Sequence, residues 1–200
     1  DLPATIPYEA QKDNVKNLFN TGQVWENSIT AQGGNQNYSF SMTLSNMNQK
    51  GIIPHSKFKR NSISLGGTAK LENGLKVNGT FSYTKSDQDG PILGYAYSAN
   101  EGAASSFART MWLNRAWNMD MPYETPEGDN LFYINSVDNP LWSWANNKSL
   151  SQVDRITAKA EAQYNLTGWL TLKALYGVNT YIDNRQQVNA VGSVAYRGQG

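Results

Sequence analysis

The sequence predicts an all-β fold: an antiparallel, up-and-down segment of a transmembrane β-barrel, about six strands of a larger barrel, with a long external loop that carries short helices. Three observations predict it. Apolar and polar residues alternate with a period of two in six stretches, the pattern of a strand with one apolar and one polar face. The connections between those stretches are alternately short and long, so all the short ones fall at one end of a meander, as in outer-membrane barrels. Aromatic residues gather near the ends of the stretches with small aliphatic residues between them, as in the two girdles that border a membrane barrel's apolar band.

The first stretch sets Trp25, Ile29 and Ala31 against Glu26, Ser28, Thr30 and Gln32. In the second, Tyr38, Phe40, Met42 and Leu44 oppose Ser39, Ser41, Thr43 and Ser45. The third has Ile63, Leu65, Ala69 and Leu71 against Ser62, Ser64, Thr68 and Lys70, and the fourth Leu75, Val77, Phe81 and Tyr83 against Lys76, Asn78, Thr80, Ser82 and Thr84. After a gap, Ile156, Ala158, Ala160, Ala162, Tyr164 and Leu166 alternate with Thr157, Lys159, Glu161, Gln163 and Asn165. Finally Leu170, Leu172, Ala174, Tyr176, Val178 and Ile182 share a parity opposite Thr171, Lys173, Asn179 and Tyr181. A seventh strand is expected around 188–196. Turns at 33–37, 72–74 and 165–168 are short; the connections 46–57 and 86–151 are long. The girdle reading places Tyr38, Tyr164 and Trp169 beside the short turns and Trp25, Tyr83 and Tyr181 near the long-loop end. Helical spacing and end signals predict helices over 8–20 and, inside the long loop, 103–119.

Length and charge limit the function classes. At 200 residues and 22.2 kDa the chain makes one domain, or at most two small ones. Seventeen basic and sixteen acidic residues give a net charge of +1, without the basic stripe of a nucleic-acid partner. Mean hydropathy is −0.58 and no apolar run approaches the ~20 residues of a membrane helix. With no cysteine, disulfides and thiolate metal sites are excluded. The chain starts at Asp1 without an initiator Met or a leader-like stretch, and is expected to be a piece of something larger. It divides into a helical lead-in (1–24), four strands (25–85), a long extracellular loop (86–151), a hairpin (152–183) and the start of the next loop or strand (184–200).

Catalytic chemistry finds little support, and an enzyme is not expected. His55 is the only histidine and follows Pro54 in a polar loop without a defined acid or base beside it. Asp87-Gln88-Asp89-Gly90 opens like a calcium loop but lacks the later ligands, and reads as Asp-Gly turn chemistry. Asp87 and Asp89 remain weak metal candidates, alone or with Glu124, Glu127 and Asp129. No cofactor is implied. Gly66-Gly67 inside a strand marks close packing or a bulge. Tyr95, Tyr97, Trp112, Trp117, Tyr133, Trp142 and Trp144 in the long loop are the candidate ligand-binding residues, able to stack on sugar rings or grip peptide side chains; the competing reading is a local cluster that holds the loop together.

Ordered motifs carry a family resemblance. Leu18-Phe19-Asn20-Thr21-Gly22 and Asn27-Ser28-Ile29-Thr30-Ala31-Gln32-Gly33-Gly34 are followed by the run from Tyr38 to Ile52, with Asn48-Gln49-Lys50-Gly51-Ile52 at its end. Phe58-Lys59-Arg60-Asn61-Ser62, Asn139-Pro140-Leu141, Asp154-Arg155-Ile156-Thr157, Tyr164, Leu170-Thr171-Leu172-Lys173 and Tyr176-Gly177-Val178 come in the same order. The set resembles SusC/RagA-type TonB-dependent outer-membrane transporters over nearly the whole chain. The resemblance implies an early part of a barrel of about 22 strands, with the family's plug domain absent from these residues. It further implies import of oligosaccharides or peptides, a SusD-like surface lipoprotein as partner and lid, and the TonB complex acting through the plug. The expected location is the outer membrane of a Gram-negative, Bacteroidota-type bacterium, in contact with outer-membrane lipid. The alternative is a soluble carbohydrate-binding β-sandwich with an aromatic-rich loop. In a sandwich, Phe40, Met42, Leu44, Phe81 and Leu172 would pack against a second sheet.

Overall fold

A computed structural model describes residues 5–92, 110–111, 113–132, 134 and 137–194. Six strands form one sheet: β1 (Gln23–Gly34), β2 (Tyr38–Lys50), β3 (Lys57–Lys70), β4 (Lys76–Pro91), β5 (Lys148–Asn165) and β6 (Thr171–Val188). Every neighbour in space is the neighbour in sequence, and every pair is antiparallel. The sheet is an open, up-and-down meander with β1 and β6 at its edges. The strands run from 12 to 18 residues, beyond the ~9–11 residues that cross a bilayer.

Unbroken pairing puts the alternating residues into rows. Ala31, Met42, Leu65, Phe81, Ala158 and Val178 lie in one row across all six strands, and Ile29, Leu44, Ile63, Tyr83, Ile156 and Thr180 in the next. Directly opposed residues share a face, so these rows build a continuous apolar surface. The opposite face repeats hydroxyls: Thr30, Thr43, Ser64, Ser82 and Thr157 align, ending at Asn179.

Nothing among the described residues covers the apolar face. Phe40 is 55% exposed, Met42 36%, Leu44 42%, Phe81 38% and Leu172 52%. The second sheet required by the sandwich alternative is not present there.

The short connections, 35–37, 71–75 and 166–170, all lie at one end, with 51–56 and 92–147 at the other. In the first turn the Asn35 Oδ1 accepts the backbone N–H groups of Asn37 at 2.8 Å and Tyr38 at 3.0 Å, an Asx turn that closes the hairpin. Gly33 lies under the Phe40 ring: a Cβ there would approach Phe40 Cε1 to 2.9 Å. Gly66 and Gly67 keep register with Ser41 and Phe40, so the pair marks close approach rather than a bulge.

Several expectations are corrected. Residues 46–50 pair with 57–61, so the second connection shrinks to 51–56. The strands also continue beyond the alternating stretches at the long-loop end, to Pro91 in β4 and Val188 in β6, and β5 begins at Lys148. Among the described residues no seventh strand follows β6: 189–194 are turn and irregular chain, and 195–196 of the expected strand lie outside the described residues. The lead-in helix is a single turn, α1 (Asn14–Asn17), because its apolar residues are drawn into tertiary packing: Leu18 is buried while Val15 stays exposed. Of the helix expected over 103–119, residues 110 and 111 are helical, 103–109 and 112 lie outside the described residues, and 113–119 are turn and irregular chain. The loop also contains α2 (Pro140–Asn146), started by Asn139, whose Oδ1 accepts Leu141 N–H at 3.0 Å.

The buried core sits on the long-loop side. Leu18, Trp117, Met119, Phe132, Val137 and Trp144 form it, flanked by Ile6, Phe19, Ile53, Leu113, Met121 and Leu141. Lead-in, the 51–56 connection and long loop thus condense into one cap. Gln11 N–H donates to Arg115 O at 2.8 Å, and Asn20 N–H to Ile52 O at 2.7 Å.

Candidate functional site

The two faces of the sheet and the cap are the surfaces on which a function can be built. On the apolar face, hydrophobic rows extend from Tyr164 and Leu172, beside the 166–170 turn, to the row of Ile29 and Tyr83. That is ~27–34 Å along the strands, or ~20–24 Å in height at a tilt near 45°. The outward band of an outer-membrane barrel is ~25 Å tall. The next row changes character: Asn27, Asn46, Asn61, Lys85 and Asp154 align, with Ile182 at the end. Above that line both faces are largely polar.

Aromatic residues mark both borders. Tyr38 and Trp169 are exposed beside the short turns. At the other border Tyr83 lies in the last apolar row and donates its hydroxyl to Asp154 Oδ1 at 2.5 Å. Two girdle assignments change. Tyr181 pairs with Arg155 on the polar face, its ring centroid 5.7 Å from the guanidinium carbon. Trp25 lies two rows above the band, beside Asn48.

The polar face is a lattice of exchangeable hydrogen bonds. Hydroxyl pairs bridge the strands at Thr30–Thr43 (3.0 Å), Ser39–Thr68 (2.7 Å), Ser45–Ser62 (2.6 Å) and Ser64–Ser82 (3.3 Å). Charges come as neutralised groups: Glu161 meets Lys173 at 2.9 Å and Lys159 at 3.2 Å, Glu26 meets Arg60 at 3.1 Å, and Asp183 meets Arg185 at 2.7 Å. Such a face holds water and presents hydroxyls and paired charges to a polar neighbour without a fixed charge of one sign. Lys159 and Glu161 could be placed together from parity alone; Lys173 joins them only through the hairpin register.

The candidate aromatic residues divide. Tyr95, Tyr97, Trp112 and Tyr133 lie outside the described residues. Trp117, Trp142 and Trp144 are 4%, 2% and 0% exposed. Trp117 packs edge-on against Phe132 with centroids 5.7 Å apart, and Trp142 Nε1 donates to Gly128 O at 2.9 Å. These three rings hold the cap together. Asn147, which the sequence reading passed over, is its buried polar hub: Oδ1 accepts Ala190 N–H at 2.9 Å, Nδ2 donates to Ser143 Oγ at 3.1 Å, and its carbonyl accepts Ile92 N–H at 3.2 Å. Ser193 Oγ donates to Asp138 Oδ2 at 2.5 Å, and Val194 N–H to Asp138 Oδ1 at 2.8 Å, tying the chain after β6 to the loop.

Asp87 and Asp89 are not in a turn. Both lie in β4, opposite Lys59 and Lys57, and Asp87 Oδ1 accepts from Gln152 Nε2 at 3.0 Å. Among the described residues no three His, Asp or Glu side chains are grouped to hold a metal, so Glu124, Glu127 and Asp129 do not complete a site with them. His55 is exposed in the 51–56 connection with a φ of 63°, a bend residue facing solvent.

Comparison with known proteins gives a likeness of fold. No family model and no curated protein matches the chain. Among solved structures, a chain of the RagAB peptide importer in its open-open state superposes with a TM-score of 0.68 at 21% identity. The match covers 88% of this chain and 19% of that one. The chain therefore has the fold of a β-barrel segment and spans about a fifth of the importer chain it resembles.

Proposed function

We propose that this chain is a wall segment of an outer-membrane importer barrel of the SusC/RagA, TonB-dependent type. The observation that carries the reading is the uncovered apolar band, bordered by aromatic residues, opposite a face of hydroxyls and paired charges. In water an open sheet of this kind would aggregate through its edges and its exposed face. Further strands would close the barrel beyond β1 and β6, turning the apolar rows to lipid and the Thr30–Ser82 lattice to a hydrated lumen or a plug.

The cap then lies on the external side. There it receives cargo, an oligosaccharide or a peptide, together with a SusD-like lipoprotein lid, and energy relayed by TonB displaces the plug. The peptide cargo of the RagAB importer supports the peptide alternative. Tyr95, Tyr97, Trp112 and Tyr133 are the ring candidates for cargo, while Trp117, Trp142 and Trp144 shape the cap. No step requires a cofactor or covalent chemistry.

The test is site-directed labelling of the full barrel in lipid vesicles. Cysteine at Met42 should react with a lipid-phase probe and be protected from a water-soluble maleimide. Cysteine at Thr43 should show the reverse. Equal labelling of both by the aqueous reagent would sink the barrel reading.

A further inference from the structure

Above the apolar band, on the same outward face, three lysines of β2 and β3 share a hollow with a tryptophan of β1. Lys50 and Lys57 are directly opposed across β2 and β3, Lys59 shares their face next to Asn48, and Asn48 is opposite Trp25. Together they line a shallow hollow of about 240 Å³. All four side chains are exposed. Like charges placed opposite one another on a sheet are unfavourable, and among the described residues none of the three lysines forms an ion pair. Their nearest carboxylates by register are Asp89 opposite Lys57 and Asp87 opposite Lys59. Asp87 is already held by Gln152, and the hollow is lined by β1, β2 and β3 with no residue of β4.

The height of the cluster identifies its partner. Lys59 is ~9 Å and the Lys50–Lys57 pair ~14 Å above the last apolar row, for strands tilted near 45°. A lysine stem of ~6 Å can lower its ammonium into a headgroup layer ~5–8 Å deep. Tryptophan prefers this interface, and basic pockets between membrane helices bind phosphorylated headgroups by the same charge pairing.

We propose that Trp25, Lys50, Lys57 and Lys59 form a docking site for the phosphorylated headgroup of a lipid in the leaflet on the long-loop side. The inference rests on the barrel reading and adds a lipid partner to it. The lysines clamp the phosphate, Trp25 lies against the upper acyl chains or the headgroup ring, and the apolar rows below receive the chains.

The test uses the full barrel in detergent, equilibrated with monophosphoryl lipid A or with its dephosphorylated counterpart, and counts retained lipid by native mass spectrometry. Replacing Lys50→Gln, Lys57→Gln and Lys59→Gln together should lower retention of the phosphorylated lipid about tenfold or more. Lys70→Gln with Lys76→Gln, at the short-turn end, should leave it unchanged, and heat-dependent gel mobility checks that all variants are folded. The dephosphorylated lipid should bind wild type and triple variant equally weakly. Unchanged retention in the triple variant overturns the site while the barrel stands. Displacement of the lipid by millimolar inorganic phosphate alone assigns the hollow to free phosphate and overturns the lipid. A wild-type protein that stays monodisperse without detergent and retains neither lipid overturns the barrel reading and this site with it.

Discussion

Tyr83 donates its hydroxyl to Asp154 Oδ1 at 2.5 Å, across the line where the outward face changes from apolar to polar. The ring belongs to the last hydrophobic row, opposite Ile63 and Ile156. The carboxylate belongs to the first polar row, opposite Lys85. On the barrel reading the ring's body lies in hydrocarbon and its hydroxyl in the wet layer, the arrangement of an interfacial anchor that sets the depth of the sheet.

Removing that anchor should loosen the barrel without changing its topology. Tyr83→Phe is expected to lower the urea midpoint for unfolding from lipid vesicles, and Asp154→Ala to do the same. Their combination should cost little more than either alone, because each single change already breaks the bond. Strict additivity in that double-mutant cycle would show that the bond contributes nothing.

Parity gives the largest contrast between adjacent residues. Leu65 lies between Met42 and Phe81 in the apolar row next to that of Tyr83, and Ser64 on the opposite face between Thr43 and Ser82. Leu65→Lys places a charge inside the apolar band, short of its middle, and should cost about 1–3 kcal/mol in folding into vesicles. Ser64→Lys should remain within about 0.5 kcal/mol of wild type. Equal effects would mean that the faces are assigned the wrong way round or that neither meets lipid.

The turns separate two glycines that look alike in sequence. A Cβ on Gly34 would run into the Tyr38 carbonyl oxygen and lie 2.7 Å from Ser39 Cα. Those are backbone atoms, so the first hairpin must open. Gly34→Ala should therefore cost about 1–3 kcal/mol. Gly168 has nothing within 4 Å of such an atom and no positive φ, so Gly168→Ala should stabilise by about 0.4–1 kcal/mol through the unfolded chain. Chemical denaturation in detergent measures both.

These elements were not equally legible in the sequence. Within the band every second residue reports its face, so the six strands could be read directly. Above the band both faces are largely polar, and alternation stops carrying information. Residues 86–91 and 148–151 therefore read as loop although the backbone ladder continues through them, and Asp87-Gln88-Asp89-Gly90 reads as a turn. Hydrogen bonds between strands need no side-chain pattern, which is why strand ends were missed and strand centres were not. The helix at 140–146 had a signal in Asn139-Pro140, a capping residue followed by the proline favoured at the first helical position. The cap core could not be read, because Leu18, Trp117 and Trp144 are far apart in sequence and share no periodicity.

The cap and the sheet are expected to behave as separable units, and Trp144 is the residue that tests this. Its ring is fully buried among Leu18, Trp117, Met119, Phe132 and Val137, so Trp144→Ala should cost about 3–5 kcal/mol of cap stability. The strands do not depend on that core: their ladders are closed by neighbouring strands, and none of its residues belongs to a strand. Hydrogen exchange should then show faster exchange at Asn20 and Trp117, whose amides bond Ile52 O and Asn114 O within the cap. The amides of Thr43 and Ser64 in the sheet should keep wild-type protection. Loss of protection at all four sites would make cap and wall one cooperative unit, and would tie any movement of the external loop to the barrel itself.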